Sequence, residues 1–146
     1  MKRRIWFIVF ICALNLSGGA GRAQVAENAV PAPPGISKIC EEIERGITRG
    51  EVKIFSLHFA RQLSVNIRDG ESGYFSANQA FVLLQNFFGA RQAVRFKFTT
   101  FGETGTIPFA TGGGSVTFRG NRETIQIYVS FRRSGDRWRI TQFNAY

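Results

Sequence analysis

The sequence predicts an α+β fold in which three N-terminal helices pack on a strongly curved antiparallel sheet. Apolar residues recur at helical spacing up to Gly89 and mainly with a period of two after it. Two of the later strands, those containing Phe101 and Phe143, break that period, as strands do when bulges bend a sheet. Helices followed by a run of antiparallel strands are typical of an α+β domain with the helices on one face of the sheet.

Two helices are predicted between residues 37 and 59. Ser37 is a good N-cap for the first helix, and Gly50 is a typical terminator. Between them, apolar residues recur at helical spacing: Ile39, Cys40, Ile43 and Ile47. A shorter helix over residues 51–59 presents a second apolar stripe: Val52, Phe55 and Phe59. Both stripes predict burial against the sheet.

A strand and a third helix follow. Residues 63–68 alternate, with one apolar face: Leu63, Val65 and Ile67. Residues 68–73 are a predicted turn. Ser76 and Gln79 fit a capping box, so the third helix is expected to begin at Ala77. Its apolar side chains fall within an arc of roughly 160°: Ala77, Ala80, Phe81, Leu83, Leu84, Phe87 and Phe88. This pattern predicts a helix that lies over the sheet.

Two predicted strands follow Gly89. In residues 93–101, the apolar positions expected to be buried are Val94, Phe96 and Phe98. Phe101 falls out of phase with them. The next strand, residues 106–120, contains three consecutive glycines at 112–114, which can bend or break a strand. Both features favour a bent sheet rather than a flat one.

The last two predicted strands, residues 123–133 and 137–146, form a hairpin. The first alternates throughout, with buried positions at Ile125, Ile127, Val129 and Phe131. In the second, Phe143 falls on the face opposite Ile140. A β-bulge near Thr141 would return Phe143 to the buried face.

The N-terminal segment predicts export. A basic start, residues 2–4, precedes a ten-residue apolar run, 5–14, and small residues follow up to Ala23. This order is typical of a secretory signal peptide, expected over residues 1–23. The apolar run is shorter than the roughly 20 residues that cross a bilayer, so a short membrane anchor is the alternative. Cleavage would give a secreted or periplasmic protein with no stable membrane span.

Residues 24–35 hold three of the four prolines and are expected to be a disordered leader. A single domain is expected over residues 36–146. Without residues 1–23 the chain has 15 basic and 10 acidic residues. That modest charge, with export, excludes nucleic acid as an expected partner. Cys40 would be the one remaining cysteine, which excludes an intramolecular disulfide, and it is expected to be buried.

Short motifs between residues 36 and 146 occur in an order typical of one known group of proteins. The motifs are Gly50-Glu51-Val52, Leu63-x-Val65-x-Ile67, Ser76 through Ala80, Phe87-Phe88, Ala110-Thr111-Gly112 and Gly135 through Ile140. In these the sequence resembles the nuclear-transport-factor-2-like (cystatin-like) cone fold and, within it, a family of small secreted bacterial proteins of unknown function. The resemblance implies a cone-shaped sheet around a pocket, with the third helix in its wall, and no particular activity.

The sequence contains few candidates for catalytic or metal-binding residues. His58 is the only histidine, and as a general base it would need an orienting partner. The alternative is a helix-terminal histidine that caps backbone carbonyls or lies exposed. A single histidine with Cys40 as the sole thiol candidate does not build a typical zinc site. No phosphate-binding or nucleophile motif is present in the sequence. No metal and no cofactor are therefore expected.

Two modes of binding are expected. A cone pocket would hold a small apolar ligand between five residues: Phe81, Leu84, Phe96, Phe98 and Trp138. The outer face of the sheet would instead pair with a second copy, because tyrosine and arginine are enriched at interfaces. The residues of that partner surface are Arg95, Lys97, Tyr128, Arg132 and Arg139. The same arginines suit an anionic ligand such as a polysaccharide or a lipid headgroup, and an ordinary solvated face is the alternative.

The sequence thus predicts an exported, non-enzymatic binding or assembly module that holds a small apolar ligand or forms a homodimer. The basis is an aromatic-rich interior without convergent ionisable groups. One alternative is a pocket enzyme of the isomerase or dehydratase type, as other members of the resembled fold are. Another alternative is a purely structural subunit with no cavity. The fold alone does not choose among these functions.

Overall fold

The computed structural model of the protein describes residues 31–146. The predicted signal peptide, residues 1–23, and residues 24–30 of the predicted leader lie outside the described residues. The described part contains three helices, α1 (Ile36–Arg49), α2 (Lys53–Ser56) and α3 (Ala77–Gly89). Its strands are β1 (Phe59–Ile67), β2 (Ser72–Ser76), β3 (Gln92–Thr104), β4 (Ile107–Phe118), β5 (Asn121–Ser134) and β6 (Arg137–Ala145).

These strands form one curved sheet in the order β2-β1-β6-β5-β4-β3. The predicted α+β class, with helices on a curved sheet, is confirmed. The sheet is not antiparallel throughout, however, because β1 and β6 run parallel. Strand β2 was also missed, since its first residues were interpreted as part of a turn. It is five residues long and pairs only with β1.

Helix α1 begins slightly earlier than predicted. Gly35, not Ser37, is its N-cap, and no side chain caps it. The helix ends as predicted at Gly50, whose φ of 68° is left-handed and favours glycine. Its apolar stripe is buried: Ile36, Ile39, Cys40, Ile43 and Ile47. The stripe, rather than the cap, therefore fixes the helix to the sheet.

One carboxylate of α1 lies at the free edge of strand β3. Glu44 Oε1 accepts the backbone N–H of Phe98 at 2.8 Å, and the Lys97 ammonium lies 2.7 Å from Glu44 Oε2. This hydrogen bond and the charge of Glu44 raise the pKa of Lys97 above its ordinary value. Helix α1 therefore packs on the sheet and also occupies part of its edge.

Helix α3 begins at Ala77, where the capping box predicted. The Gln79 backbone N–H donates to Ser76 Oγ at 3.3 Å, and the Ser76 backbone N–H donates to Gln79 Oε1 at 3.0 Å. The buried residues of the helix are Ala80, Leu84, Phe87 and Phe88. Its apolar side therefore faces the sheet, as the helical spacing indicated.

Two bulges bend strand β3 against an unbulged β4. Val94 and Thr99 are the extra residues, without partners on β4. The prediction that Val94 is buried was wrong, because this bulge turns the side chain to solvent and leaves 51% of its surface exposed. The second bulge explains why Phe101 is out of phase. Bulges increase local twist, so these two contribute to the curvature of the sheet.

The triple glycine allows β3 and β4 to approach closely. Gly114 pairs with Phe96, and a methyl group at Gly114 would lie 2.8 Å from the Phe96 Cα and overlap the preceding carbonyl oxygen. Gly112 is crowded in the same way by the backbone of β3. Gly113 faces the other side, where a methyl group would meet only the end of the Gln126 side chain, at 3.2 Å. Strand β4 continues through all three glycines without a break.

Strand β6 contains the bulge that the sequence predicted. Ile140 and Gln142 pair with consecutive residues of β5, so Thr141 has no partner there. Ile140 and Phe143 are both fully buried. The predicted bulge near Thr141, which returns Phe143 to the inner face, is therefore confirmed.

Phenylalanine rings join the helices to the inner face of the sheet. Phe143 of β6 stacks on Phe55 of α2, with ring centroids 5.9 Å apart. Phe88 of α3 meets Phe143 edge-on at 6.0 Å. Aromatic pairs in these geometries stabilise a core beyond the area that they bury. The core therefore lies on one side of the sheet, and the opposite side is the outer face.

Candidate functional site

The residues predicted to line an apolar pocket are not all together. Leu84, Phe96 and Phe98 are buried in the core, and the two phenylalanine rings meet edge-on with centroids 5.1 Å apart. Phe81 of α3 is half-buried and packs against the same core. Trp138 is also half-buried, but it lines a surface cleft beside the first turns of α1. Side chains thus occupy the interior around Leu84, and Trp138 packs against the same core but lines a surface cleft.

The outer face carries two adjacent rows of side chains without charge, which we call the neutral rows. One row consists of Tyr74, Ser64, Gln142, Ser130 and Phe109. The other consists of Ser72, Asn66, Asn144, Tyr128, Thr111 and Thr100. The helices contribute their apolar stripes to the core on the inner face. Within residues 31–146, the neutral rows therefore form a broad uncharged surface opposite the helices.

An aromatic pair lies in the middle of the neutral rows. The rings of Phe109 and Tyr128 stack with centroids 5.5 Å apart and an interplanar angle of 22°. Asn144 is buried, and its amide donates to the Tyr146 hydroxyl at 3.0 Å. At the β2 end, Tyr74 is 81% exposed. Some polar groups here are already satisfied within the chain, which lowers the cost of removing water from this face.

The residues predicted as a partner surface lie around the neutral rows rather than in one patch. Tyr128 is central. Arg95 and Lys97 lie on the edge strand β3, with Lys97 turned towards α1. Arg132 and Arg139 are cross-strand neighbours at the opposite end, in the β5–β6 hairpin. The cationic residues therefore flank the uncharged surface.

Strands β1 and β6 separate near that hairpin. Phe59 pairs with Ile140, and the next pair is Ser64 with Gln142, so β1 has four residues where β6 has only Thr141. Residues on both sides of this gap line a cleft of about 690 Å³, which we call the arginine cleft. Four arginines line it: Arg61, Arg132, Arg133 and Arg139.

The positive charge of the arginine cleft is not compensated by ion pairs. None of its four arginines forms an ion pair with a carboxylate of residues 31–146. Arg132 and Arg139 lie directly opposite each other, where like charges are destabilising. Arg139 Nη1 donates to the Leu57 carbonyl oxygen at 2.7 Å, and the Arg133 guanidinium lies 5.7 Å from the Trp138 ring centroid. Two of the guanidinium groups are thus held by uncharged neighbours, which do not neutralise their positive charge.

A second cleft, of about 430 Å³, adjoins the first between α1 and the hairpin, and we call it the hairpin cleft. His58 Nε2 lies 2.6 Å from Glu42 Oε2 on its wall. This contact supplies the orienting carboxylate that a histidine base requires, and it equally fixes α1 to the start of β1. Glu42 was missed as a partner of His58, because no local sequence signal links two residues on different elements. The hairpin cleft shares Arg133 and Arg139 with the arginine cleft.

The remaining metal-binding residue types are dispersed. Among residues 31–146, His, Cys, Asp and Glu side chains form no group of three that could hold a metal ion. The Cys40 thiol is buried, and burial, with Glu44 and Glu41 nearby, raises its pKa to about 12. It is therefore protonated at neutral pH and a poor nucleophile. In the same part of the chain, no helix is long and apolar enough to cross a membrane.

Solved structures show the same fold at low sequence identity. A DUF4783 family protein from Bacteroides fragilis superposes with a TM-score of 0.60 and 18% identity, covering 78% of this chain and 96% of that one. Its counterpart from Bacteroides ovatus gives a TM-score of 0.60 and 15% identity, covering 78% and 93%. An NTF2-like protein of unknown function from Shewanella oneidensis gives 0.54 and 14%, covering 76% and 95%.

The sequence comparisons agree with the structural ones. No curated protein matches the chain significantly. The sequence model described as a domain of unknown function, DUF4783, matches residues 40–145. That range contains every strand and helix except the first turn of α1. The expected NTF2-like fold is confirmed, and the chain belongs to the DUF4783 family.

Proposed function

We propose that the protein is a non-enzymatic assembly module that forms a homodimer through the neutral rows of its outer face. The observation that carries the proposal is the uncharged surface across all six strands, with the Phe109–Tyr128 stack at its centre. An uncharged patch with exposed tyrosine is typical of the core of an interface, and charged residues at its ends are typical of a rim. A cone pocket for an apolar ligand is less well supported, because Leu84, Phe96 and Phe98 are buried in the core.

The size of the face supports a second copy as the occupant. Six strands spaced about 4.8 Å apart are about 24 Å wide, and the outer residues of β5 from 124 to 132 extend about 27 Å. The resulting area of about 650 Å² covers the neutral rows and the residues that flank them, including Arg132, and approaches the roughly 800 Å² per partner of a standard interface. A face that meets its own copy about a two-fold axis needs no charge complementarity to another protein, which suits a surface without charge.

We also infer that the protein acts outside the cytoplasm, in the cell envelope or secreted. The support is the order of a basic start, a short apolar run and small residues over 1–23. An assembly surface that contains no thiol is compatible with an oxidising compartment. The mass of the chain purified from an exporting host measures the cleavage site. A chain that begins at Gln24 is expected, and an intact Met1 would contradict export.

Native mass spectrometry tests the dimer with one pair of matched variants. The wild-type protein should give a dimer mass at micromolar concentration. Thr111→Lys places a charge in the neutral rows of both copies and should give a monomer, because an unpaired charge at an interface core is costly. Thr48→Lys makes the same change on the exposed side of α1 and should remain dimeric. Equal thermal melting of all three proteins controls for folding.

Two outcomes would contradict the proposal. One is a wild-type monomer at tens of micromolar, and the other is a Thr111→Lys variant that remains dimeric. A monomer that loses an extra mass on denaturation would instead favour a ligand in the cone.

A further inference from the structure

We propose that the arginine cleft and the adjoining hairpin cleft together bind an acidic polysaccharide, a chain of sugar rings that carry carboxylate groups. This site is separate from the neutral rows and does not depend on dimer formation. The first observation is structural: the gap between β1 and β6 opens because four residues of β1 lie opposite one residue of β6. Because this cleft is formed by the pairing of the backbone strands rather than by movable side chains, it exists before any ligand binds.

The second observation is the charge. Arg61, Arg132, Arg133 and Arg139 line the arginine cleft, and no acidic residue from the described range 31–146 lines it with them. Guanidinium groups bind carboxylates through two parallel hydrogen bonds, which ammonium groups do not do. The direct Arg132–Arg139 opposition weakens the hairpin unless an anion lies between or beside the two groups. A carboxylate is therefore the group that this cleft would recognise.

The third observation is the shape. The two clefts share Arg133 and Arg139, so they lie side by side at the hairpin. In the hairpin cleft, Lys38 and Arg137 add positive charge, and Glu42 and Asp136 add negative charge. Glu42 is already paired with His58. Cationic groups are thus spread over both clefts, which suits anionic groups spaced along a chain rather than one compact ion.

The fourth observation is the lining of the two clefts. Trp138 lies half-buried in the hairpin cleft, with its ring centroid 5.7 Å from the Arg133 guanidinium, and Ser134 and Thr141 provide hydroxyl groups in the arginine cleft. An indole ring offers a flat apolar surface with a polar end, which suits the face of a sugar ring. No pair of exposed aromatic rings flanks the arginines for stacking nucleobases. The combination favours a polysaccharide over a nucleic acid.

Calorimetric titration of the purified protein with hexagalacturonate, at physiological salt, tests the proposal. The Arg61→Gln/Arg132→Gln double variant should bind at least tenfold more weakly than the wild type. A matched double variant, Arg45→Gln/Arg122→Gln, removes the same charge from exposed positions outside both clefts and should change binding less than twofold. Maltohexaose, which has the sugar chain without carboxylates, should not bind.

Three results would overturn the proposal. An equal loss of binding in the two double variants would show that only overall charge matters. Tighter binding of linear polyphosphate than of hexagalacturonate would show that the sugar chain is not recognised. No binding by the wild type would remove the site altogether. Thr111→Lys should bind hexagalacturonate as the wild type does, so failure of the dimer and failure of this site are distinguishable.

Discussion

The sheet departs from regular pairing at two places, and the two departures have opposite effects. Between β3 and β4, the two extra residues of β3 flank the segment that pairs with the glycines of β4, and the backbones come so close that a side chain cannot fit at Gly112 or Gly114. Between β1 and β6, extra residues meet a single bulge at Thr141, and a cleft opens. In both places, paired strands have unequal numbers of residues between two paired positions. The mismatch accompanies a close approach of the strands at one place and a gap at the other.

The residues of the facing strand decide which effect results. Glycines leave no side chain between the strands, so β3 can fold down onto β4 and bring Phe96 and Phe98 into the core. At the other departure, Thr141 alone faces four residues of β1 and cannot pair with all of them, so the gap remains. The comparison shows that the register of strand pairing can produce both a very close backbone contact and an open cleft in the same curved sheet.

The largest effect is expected from Gly114→Ala. The new methyl group would overlap the backbone of β3 and should lower the free energy of unfolding by about 2–3 kcal/mol. Gly113→Ala is the matched control, since its methyl group meets only the end of a flexible side chain. Its effect should stay below about 1 kcal/mol. Urea titration measures both, and equal effects would contradict a special role for the inward-facing glycines.

A smaller effect is expected from the buried thiol of α1, the helix that packs along β3. The Cys40 pKa is raised from 9.0 to about 12 in the folded protein. The folded state therefore keeps a proton that the unfolded state loses, and the associated stability is present below pH 9 and lost as the pH rises towards 12. The loss should reach at most about 1.4 kcal/mol for each pH unit.

The measurement for this prediction is urea titration of the wild type and Cys40→Ala at pH 8 and at pH 11. The wild type should lose more stability than the variant, since the other titrating groups are common to both. Parallel losses in the two proteins would contradict the assignment. The same pH comparison can be repeated in the Gly114→Ala protein. If that substitution loosens the packing of α1 on β3, the pKa of the Cys40 thiol should fall, and less stability should be lost at high pH.

The smallest effect is expected at the open side. Arg132→Gln removes one of two like charges that face each other across the hairpin and should raise the free energy of unfolding by roughly 0.2–1 kcal/mol. The gain should shrink in high salt, because screening weakens the repulsion in the wild type. Arg122→Gln, at an exposed position near the start of β5, should change stability less. A destabilised Arg132→Gln would mean that the arginine supports the hairpin rather than opposing it.

The sequence predicted features that depend on neighbours along the chain. The capping box at Ser76 placed the start of α3, and the broken period at Phe143 placed the bulge at Thr141. Features that depend on distant residues were missed. The parallel β1–β6 pair, and hence the arginine cleft, follow from a register that no local pattern encodes. The pairing of Glu42 with His58 was missed for the same reason.

Two local predictions failed for a local reason. Ser37 is a better capping residue than Gly35, yet burial of Ile36 extends the helix by two residues. Val94 fits the alternating pattern, yet it is the bulge residue itself and faces solvent. In both cases the packing of larger neighbours determined the outcome.

The carboxylate of Glu44 affects whether further copies of the protein can add to the sheet through the edge of β3. Strand β3 is long, and an unblocked edge of that length could recruit a strand from another chain, and that chain could recruit the next. Glu44 holds the Phe98 amide and the Lys97 ammonium at that edge, so an incoming strand would have to displace both. The opposite edge, β2, is only five residues long. In the proposed homodimer, both edges of the sheet would therefore hinder the addition of further strands from other chains.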